Sequence, residues 1–291
     1  SPTMTNSTRF SPRRFWQVLR LDLVEGTQSA LKHYGSAFLA FLAFLAIPTF
    51  VVHHADNPQP EELQEMASLL GSAGFLLTLF FLLVSIGSSF ASGRSSLHSR
   101  MRQLLLPAST FERFCSALLR HTVLAAVVFV LLFLCADALT ATLAQIFSVP
   151  YVWSSPHFLA TIANPEMGDI DLPLSSAPVL FMARFIPALV YCGLWSTFLL
   201  GALLFRSKSF VLTAVILIAG FTLLSLLGTL GLVSLMGPFP HSFNEQSVER
   251  VIFISLLLFW LLTLGWIVFC IGYSYRMYAR AQVIPRGRFG F

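Results

Sequence analysis

Charged residues are scarce in this sequence. Asp, Glu, Lys and Arg make up 11% of its 291 residues, whereas hydrophobic residues make up 56%. Ordinary soluble domains are roughly 25% charged, so the composition excludes that class and predicts an integral membrane protein. Cysteine is scarce as well. The four cysteines show no CxxC spacing, and the sequence therefore predicts neither a disulfide framework nor a cysteine-based metal site.

Several catalytic motifs are also missing. The sequence contains no GxxxxGK[ST] phosphate loop, no HExxH zinc motif and no GxSxG nucleophile elbow. The seven histidines are scattered over loops and helix ends, and the run at 53–56, His-His-Ala-Asp, lacks the spacing of a zinc site. We therefore expect no catalytic residue and no metal ligand in this chain.

Long apolar runs are what the sequence has in abundance. A helix needs about 20 apolar residues to cross the roughly 30 Å hydrocarbon core of a bilayer. Six stretches are of this kind, so the predicted fold is an all-α polytopic membrane protein with spans at about 36–52, 71–91, 114–146, 179–205, 210–236 and 251–275. The first span is short, and we expect Pro48 to break it near its end. We expect no signal peptide, because 35 polar and amphipathic residues precede this span.

The positive charges predict the orientation. Lys and Arg close to a span are retained on the cytoplasmic side, and they cluster before span one, between spans two and three, between four and five, and after six. Arg250 is the only Lys or Arg in the opposite loops, which hold most of the acidic residues. Both termini are therefore predicted to be cytoplasmic, with a tail and amphipathic helix at 1–35, a six-helix transmembrane domain at 36–275 and a basic tail at 276–291. The net charge of +5 is explained by this topology and predicts no nucleic-acid partner.

The connection between spans two and three interrupts the apolar pattern. Its leucines and methionine recur at i, i+4, i+7 and i+8, which predicts a short amphipathic helix that Pro107 ends. The helix would either lie passively among lipid headgroups or dock its apolar stripe on a cytoplasmic partner. Its residues are Arg94, Leu97, Arg100, Met101, Arg102, Leu104 and Leu105.

A helix start signal follows directly. Ser109 and Glu112 have the spacing of a capping box, in which each side chain bonds the backbone N–H of the other residue. The sequence therefore predicts that span three begins with a freshly capped helix.

A second amphipathic helix is predicted before span one. Phe15, Trp16, Leu19 and Leu23 fall on one side of it, and arginines point mostly elsewhere. Aromatic rings beside arginines suit a helix lying in the headgroup layer, so membrane lipid is the predicted partner of this face.

Two ionisable residues are expected inside the membrane, where charge is costly. Asp137 lies about two thirds of the way along span three, and Arg184 one to two turns into span four. We expect an ion pair between them, either structural or on a substrate or ion path. Small residues such as those of Gly-Ser-Ala-Gly at 71–74 predict close approach of helices.

This organisation resembles a known family. The stretch LLLPASTFERF at 104–114, the tail YSYRMYARAQVIPRG at 273–287 and the six-span pattern are similar to membrane subunits of ABC-2 type, or type V, ABC exporters, in particular permeases of Bacteroidetes. The resemblance implies that residues 94–106 form a coupling helix seated on a separate ABC ATPase subunit. It also implies a dimer with a second permease copy or a related permease, in the bacterial inner membrane.

Energy and cargo follow from the same resemblance. Since this chain has no phosphate loop, ATP and Mg would be bound by the partner subunit, and no cofactor is expected here. The apolar spans favour a hydrophobic or amphiphilic cargo, such as a lipid, peptide, drug or lipid-linked glycan. The alternative is a non-transporting membrane scaffold or sensor, whose loop at 147–178 binds a ligand and whose cytoplasmic helix recruits a partner.

Overall fold

The described part of the chain is helical. A computed structural model describes residues 11–25, 27–55, 59–92, 109–163, 182, 184–205, 209–235 and 245–282. A π-helix, Arg120–Leu124, joins α4 to α5 without a break. The helices are α1 Pro12–Glu25, α2 Thr27–Ala55, α3 Pro60–Ser92, α4 Thr110–Leu119, α5 Ala125–Ile146, α6 Ser155–Ala163, α7 Ile186–Leu204, α8 Ser209–Leu235 and α9 Glu245–Gln282.

Five stretches of these helices are long and apolar enough to cross a membrane. They are Leu31–Val52, Pro60–Gly87, Thr110–Ile146, Ile186–Leu204 and Phe253–Arg280. The protein is therefore a multi-pass, all-helical membrane protein, as its composition predicts. The span predicted at 210–236 coincides with α8, Ser209–Leu235, which is not among these five stretches, so a sixth crossing stays a prediction.

Pro48 does not break the first span, and that expectation was wrong. The helix α2 continues through the proline to Ala55. Proline is tolerated inside membrane helices when nearby polar groups satisfy the backbone that it disturbs. Next to the proline, the Thr49 hydroxyl donates to the Leu45 carbonyl at 2.7 Å.

Arg184, predicted one to two turns inside span four, lies just before the fourth apolar stretch of the described residues, and its place inside a span stays a prediction. The fourth apolar helix begins at Ile186 with Pro187 in its first turn, so Arg184 precedes it. Proline is favoured at the start of a helix because its missing N–H has no partner to lose there. The Arg184 side chain is exposed.

The chain divides into two compact units. Unit 1 comprises Ser1–Ser85 and Arg102–Glu166, and unit 2 comprises Ile86–Met101 and Met167–Phe291. Phenylalanines form the centre of unit 1: Phe133 stacks on Phe158 with 4.1 Å between ring centroids and meets Phe41 edge-on at 5.6 Å. These rings are fully buried, so α2, α5 and α6 share one aromatic core.

Glycines let the helices of unit 1 approach closely. A Cβ on Gly71 would lie 2.8 Å from the backbone nitrogen of Phe158 and 2.9 Å from the carbonyl oxygen of Ser154, and one on Gly74 would overlap the ring of Phe133. Side chains at these two positions would push α6 and α5 away from α3. The close helix approach that the small residues predict is present at both glycines.

Unit 2 is built mainly from α7, α8 and α9, with α7 in contact with both others. The hydroxyl of Ser209 donates to the Gly87 carbonyl at 2.5 Å, which ties the start of α8 to the end of α3. The Trp266 indole donates to the Thr197 hydroxyl at 2.9 Å and links α9 to α7. Most of α9 between residues 253 and 269 is exposed and apolar, as suits a helix that faces lipid.

Candidate functional site

The continuous helix Thr110–Ile146, formed by α4, the π-helix and α5, has a buried carboxylate in its first turn. This carboxylate joins distant parts of the chain. Glu112 is 0% exposed. Its Oε1 accepts the backbone N–H of Ser11 at 2.7 Å and lies 3.7 Å from the guanidinium of Arg14, and its Oε2 accepts the backbone N–H of Ser109 at 2.9 Å. One side chain thus fixes the start of α1 to the start of α4.

The local sequence explains why Glu112 lies there. Ser109 has the extended backbone of an N-cap residue, and its hydroxyl accepts the Glu112 N–H at 3.2 Å. Together with the Ser109 N–H to Glu112 bond, this completes a capping box. The second carboxylate oxygen is then left to bind α1.

The helix α1 packs on α4 with only part of its predicted apolar face. Val18 and Leu19 are buried and Phe15 is half-buried, whereas Trp16 is 67% exposed and Leu23 is 42% exposed. The predicted face therefore divides in two: Phe15 and Leu19 turn toward protein, and Trp16 and Leu23 turn away. The outward pair is what remains available to lipid, which stays the predicted partner of this surface.

The contacts of Glu112 with Ser11, Arg14 and Ser109, which we call the junction at Glu112, can transmit a displacement of the chain to two helices. From Thr110 the helix runs through the π turn to Ile146, a stretch of 37 residues, or roughly 55 Å. It is thus longer than the thickness of the roughly 30 Å hydrocarbon core, and a helix of this length crosses the core by tilting or by extending beyond it. A force applied just before Ser109 would reach both this helix and α1, because Glu112 holds the two together.

A second buried carboxylate organises the far end of this helix. Asp137 is 0% exposed and accepts four hydrogen bonds. The backbone N–H groups of Ser154 and Ser155 donate to it at 3.4 and 3.0 Å, and the hydroxyls of Tyr151 and Ser155 donate as well. Asp137 therefore caps the start of α6 from a neighbouring helix, which gives this charge a structural partner set.

The chain reverses to bring these donors to Asp137. Ser148 has a positive φ of 56°, the Val149 N–H donates to the Ala144 carbonyl at 2.8 Å, and the Ser148 N–H donates to the Gln145 carbonyl at 3.2 Å. This is a Schellman motif, which ends α5 and turns the chain back. Burial, reinforced by the bond to Asp137, raises the pKa of the Tyr151 hydroxyl, so it remains a donor at neutral pH.

The other predicted site residues belong to the coupling helix and to an ion pair. Arg94, Leu97, Arg100, Met101, Arg102, Leu104 and Leu105 lie outside the described residues. The predicted ion pair would involve Asp137 of unit 1 and Arg184 of unit 2, and it stays a prediction. Asp137 no longer requires this pair, because the donors in unit 1 satisfy its carboxylate.

Sequence reasoning missed the partners of both carboxylates. Ser154-Ser155-Pro156 is a helix start signal that could have located the start of α6. No local pattern links this signal to Asp137, or Ser11 and Arg14 to Glu112, because each pairing is created by tertiary packing. Among the described residues, no group of three or more His, Cys, Asp or Glu could hold a metal ion.

No protein-family model, no curated protein and no solved structure matches this chain.

Proposed function

We propose that this protein is the transmembrane permease subunit of an ATP-driven ABC-2 type exporter. A separate ATPase subunit, with its own ATP and Mg, docks on residues 94–106, and the permease pairs with a second copy or a related permease in the bacterial inner membrane. The cargo is hydrophobic or amphiphilic. The Leu-Pro-Ala-Ser stretch at 106–109 and the absence of a phosphate loop in the chain favour this assignment.

The observation that supports it most is the junction at Glu112. Nucleotide-driven closure of an ATPase can do work on a membrane helix only through an element that contacts the ATPase and is rigidly joined to that helix. The proposed docking segment leads directly into Ser109, where the capping box and the bonds to α1 begin. A passive headgroup-layer connector has no need of a buried carboxylate at this point.

Co-purification tests the proposal. The chain is expressed with the ABC ATPase encoded nearest to it and extracted in detergent, as wild type and as the Leu104→Asp/Leu105→Asp variant. Capture of the ATPase by wild type and its loss in the variant is the expected result. The matched control is Leu159→Asp/Ile162→Asp, which places two carboxylates on exposed positions of α6 and is expected to retain the ATPase.

Two results would count against the proposal. One is a folded, dimeric wild type that captures no ABC ATPase. The other is equal capture by wild type and by the Leu104→Asp/Leu105→Asp variant. Either would favour the scaffold or sensor, with residues 94–106 as a headgroup-layer connector.

A further inference from the structure

Polar side chains gather where α2, α3 and the π-helix of unit 1 meet. His121 in the π-helix lies 3.3 Å from the Ser85 hydroxyl, measured from its Nδ1. His33 and Arg120 are close enough to His121 to interact with it electrostatically, and Arg120 interacts in the same way with Tyr34. Within a bundle as apolar as this one, five polar side chains at one place need a physical account.

The cluster lies near one end of the apolar segments. His33 and Tyr34 lie in the first turn of the apolar stretch Leu31–Val52, directly after Lys32, which is exposed. Ser85 lies just before the polar run Gly-Ser-Ser at 87–89. Arginine extends its charge along apolar surface toward the interface. The cluster is therefore within reach of the level at which lipid phosphates lie.

Several hydrogen-bonding groups of the cluster have capacity for a ligand. Among the described residues, the Tyr34 hydroxyl has no hydrogen-bond partner, and His121 uses only Nδ1. Nε2 of His33 is covered by protein and has no hydrogen-bond partner within the segments that the structure describes. Tyr34, Arg120 and His121 are all half-buried, so a molecule in the surrounding lipid can reach them.

The local backbone is unusual at the same place. A π-helix is rare and occurs mostly as a single turn inside an α-helix, frequently at a functional site. Here it includes both Arg120 and His121. Beneath the polar groups, Phe129 contacts His33 and Tyr34 edge-on with centroid distances of 5.9 and 5.4 Å. The site thus has a polar rim and an apolar floor, which match the headgroup and the acyl chain of a lipid.

We propose that Tyr34, Arg120 and His121 bind the phosphate of an anionic lipid at this end of unit 1. Guanidinium binds phosphate through charge-assisted hydrogen bonds. A phenol O–H and an imidazole N–H add neutral donors, since a neutral imidazole always carries one N–H. Basic pockets between membrane helices are established sites for anionic headgroups. This site does not depend on an ATPase partner and so goes beyond the proposed function.

Lipid retention tests the site. The full chain is purified in detergent, stripped of lipid, and titrated with phosphatidylglycerol or phosphatidylcholine while bound lipid is counted by native mass spectrometry. Wild type is expected to retain phosphatidylglycerol in preference to phosphatidylcholine. Arg120→Gln is expected to weaken this retention about tenfold or more, because it removes a charge-assisted bond, and Tyr34→Phe by about threefold.

The controls separate the alternatives. Arg280→Gln removes an exposed positive charge from the last turn of α9 and is expected to leave retention unchanged. Inorganic phosphate is then added as a competitor: displacement of the lipid assigns recognition to the phosphate alone, and no displacement assigns it to the whole lipid. Both results support the site, provided that Arg120→Gln is deficient.

Equal retention of the two lipids by wild type would overturn the proposal, as would equal losses in Arg120→Gln and Arg280→Gln. If Arg120→Gln fails to fold, His121→Gln and Tyr34→Phe decide in the same assay. Retention as in wild type by both of these folded variants would also overturn it.

Discussion

The backbone N–H of Ser11 donates to Oε1 of Glu112 at 2.7 Å, although 101 residues separate them. The bond joins the first described residue of the chain to the base of its longest continuous apolar helical stretch. A carboxylate with no exposed surface is stable only if hydrogen bonds and charge replace its water, and Ser11, Ser109 and Arg14 supply these. The helix α1 is therefore an integral part of the bundle base.

Replacing Glu112 tests this junction. Glu112→Gln removes the charge that Arg14 and two backbone N–H groups bind, and we expect it to lower the free energy of unfolding by about 1–3 kcal/mol. Thermal unfolding of the detergent-solubilised protein measures the change. The control Glu61→Gln alters an exposed carboxyl in the first turn of α3 and is expected to have little effect. Equal shifts in the two variants would contradict the account.

The orientation of α1 is tested by two leucines. Leu19 is buried against α4 and Leu23 is exposed, so Leu19→Ala is expected to cost about 2–4 kcal/mol and Leu23→Ala much less. Hydrogen exchange of the α1 amides and thermal unfolding measure the difference. If both substitutions had the same effect, the two leucines would face one environment, as the sequence pattern alone predicts.

The bond from Tyr151 to Asp137 is tested by removal of one hydroxyl. Tyr151→Phe is expected to destabilise the protein by about 1–2 kcal/mol, because it leaves a buried carboxylate with fewer donors. Tyr191→Phe is the matched control, since the buried Tyr191 hydroxyl has no hydrogen-bond partner in the described part of the chain and its loss is expected to be neutral or stabilising. The reverse order of stabilities would contradict the assignment.

The pH dependence of this bond has a defined sign. The pKa of Tyr151 is raised in the folded state, so its contribution is complete below the unfolded value of about 10 and is lost only as pH rises beyond that value. The difference in stability between wild type and Tyr151→Phe should therefore be the same at about pH 7 and about pH 9. A difference that shrinks by pH 9 would mean that the hydroxyl ionises in that range.

Gly71 tests the close approach of α6 to α3. A methyl group at this position would lie within 2.9 Å of the Phe158 nitrogen and the Ser154 oxygen, which are backbone atoms that cannot turn away. Gly71→Ala is expected to destabilise the protein by about 1–3 kcal/mol. Gly35→Ala meets nothing within 4 Å and should be neutral or stabilising by up to about 1 kcal/mol. Equal stabilities for the two variants would exclude this packing.

Local patterns predicted the features that depend on neighbours in sequence. Apolar runs located the helices, and the spacing of Ser109 and Glu112 located a cap, because a capping box is formed by residues three apart. The length of α2 was misjudged at Pro48, since a proline inside a membrane helix does not necessarily end it. The sequence pattern also could not predict which residues on the apolar face of α1 are buried, because packing on α4 decides this.

The partners of the two carboxylates could not be predicted for a related reason. Asp137 was expected to need an opposite charge, as a buried ion does in an apolar medium. Four hydrogen-bond donors from a reversed chain segment bind it, and that reversal depends on the positive φ of Ser148. A residue other than glycine in this conformation leaves no clear signal in the sequence.

ATP hydrolysis by the proposed partner tests the central claim most directly. The ABC ATPase encoded nearest to this chain is reconstituted in lipid vesicles, alone, with wild type and with Glu112→Gln. The account predicts that wild type changes the hydrolysis rate and that Glu112→Gln, while still capturing the ATPase, loses most of this effect. A rate that is the same with and without the folded chain would contradict its assignment as the permease of an ABC exporter.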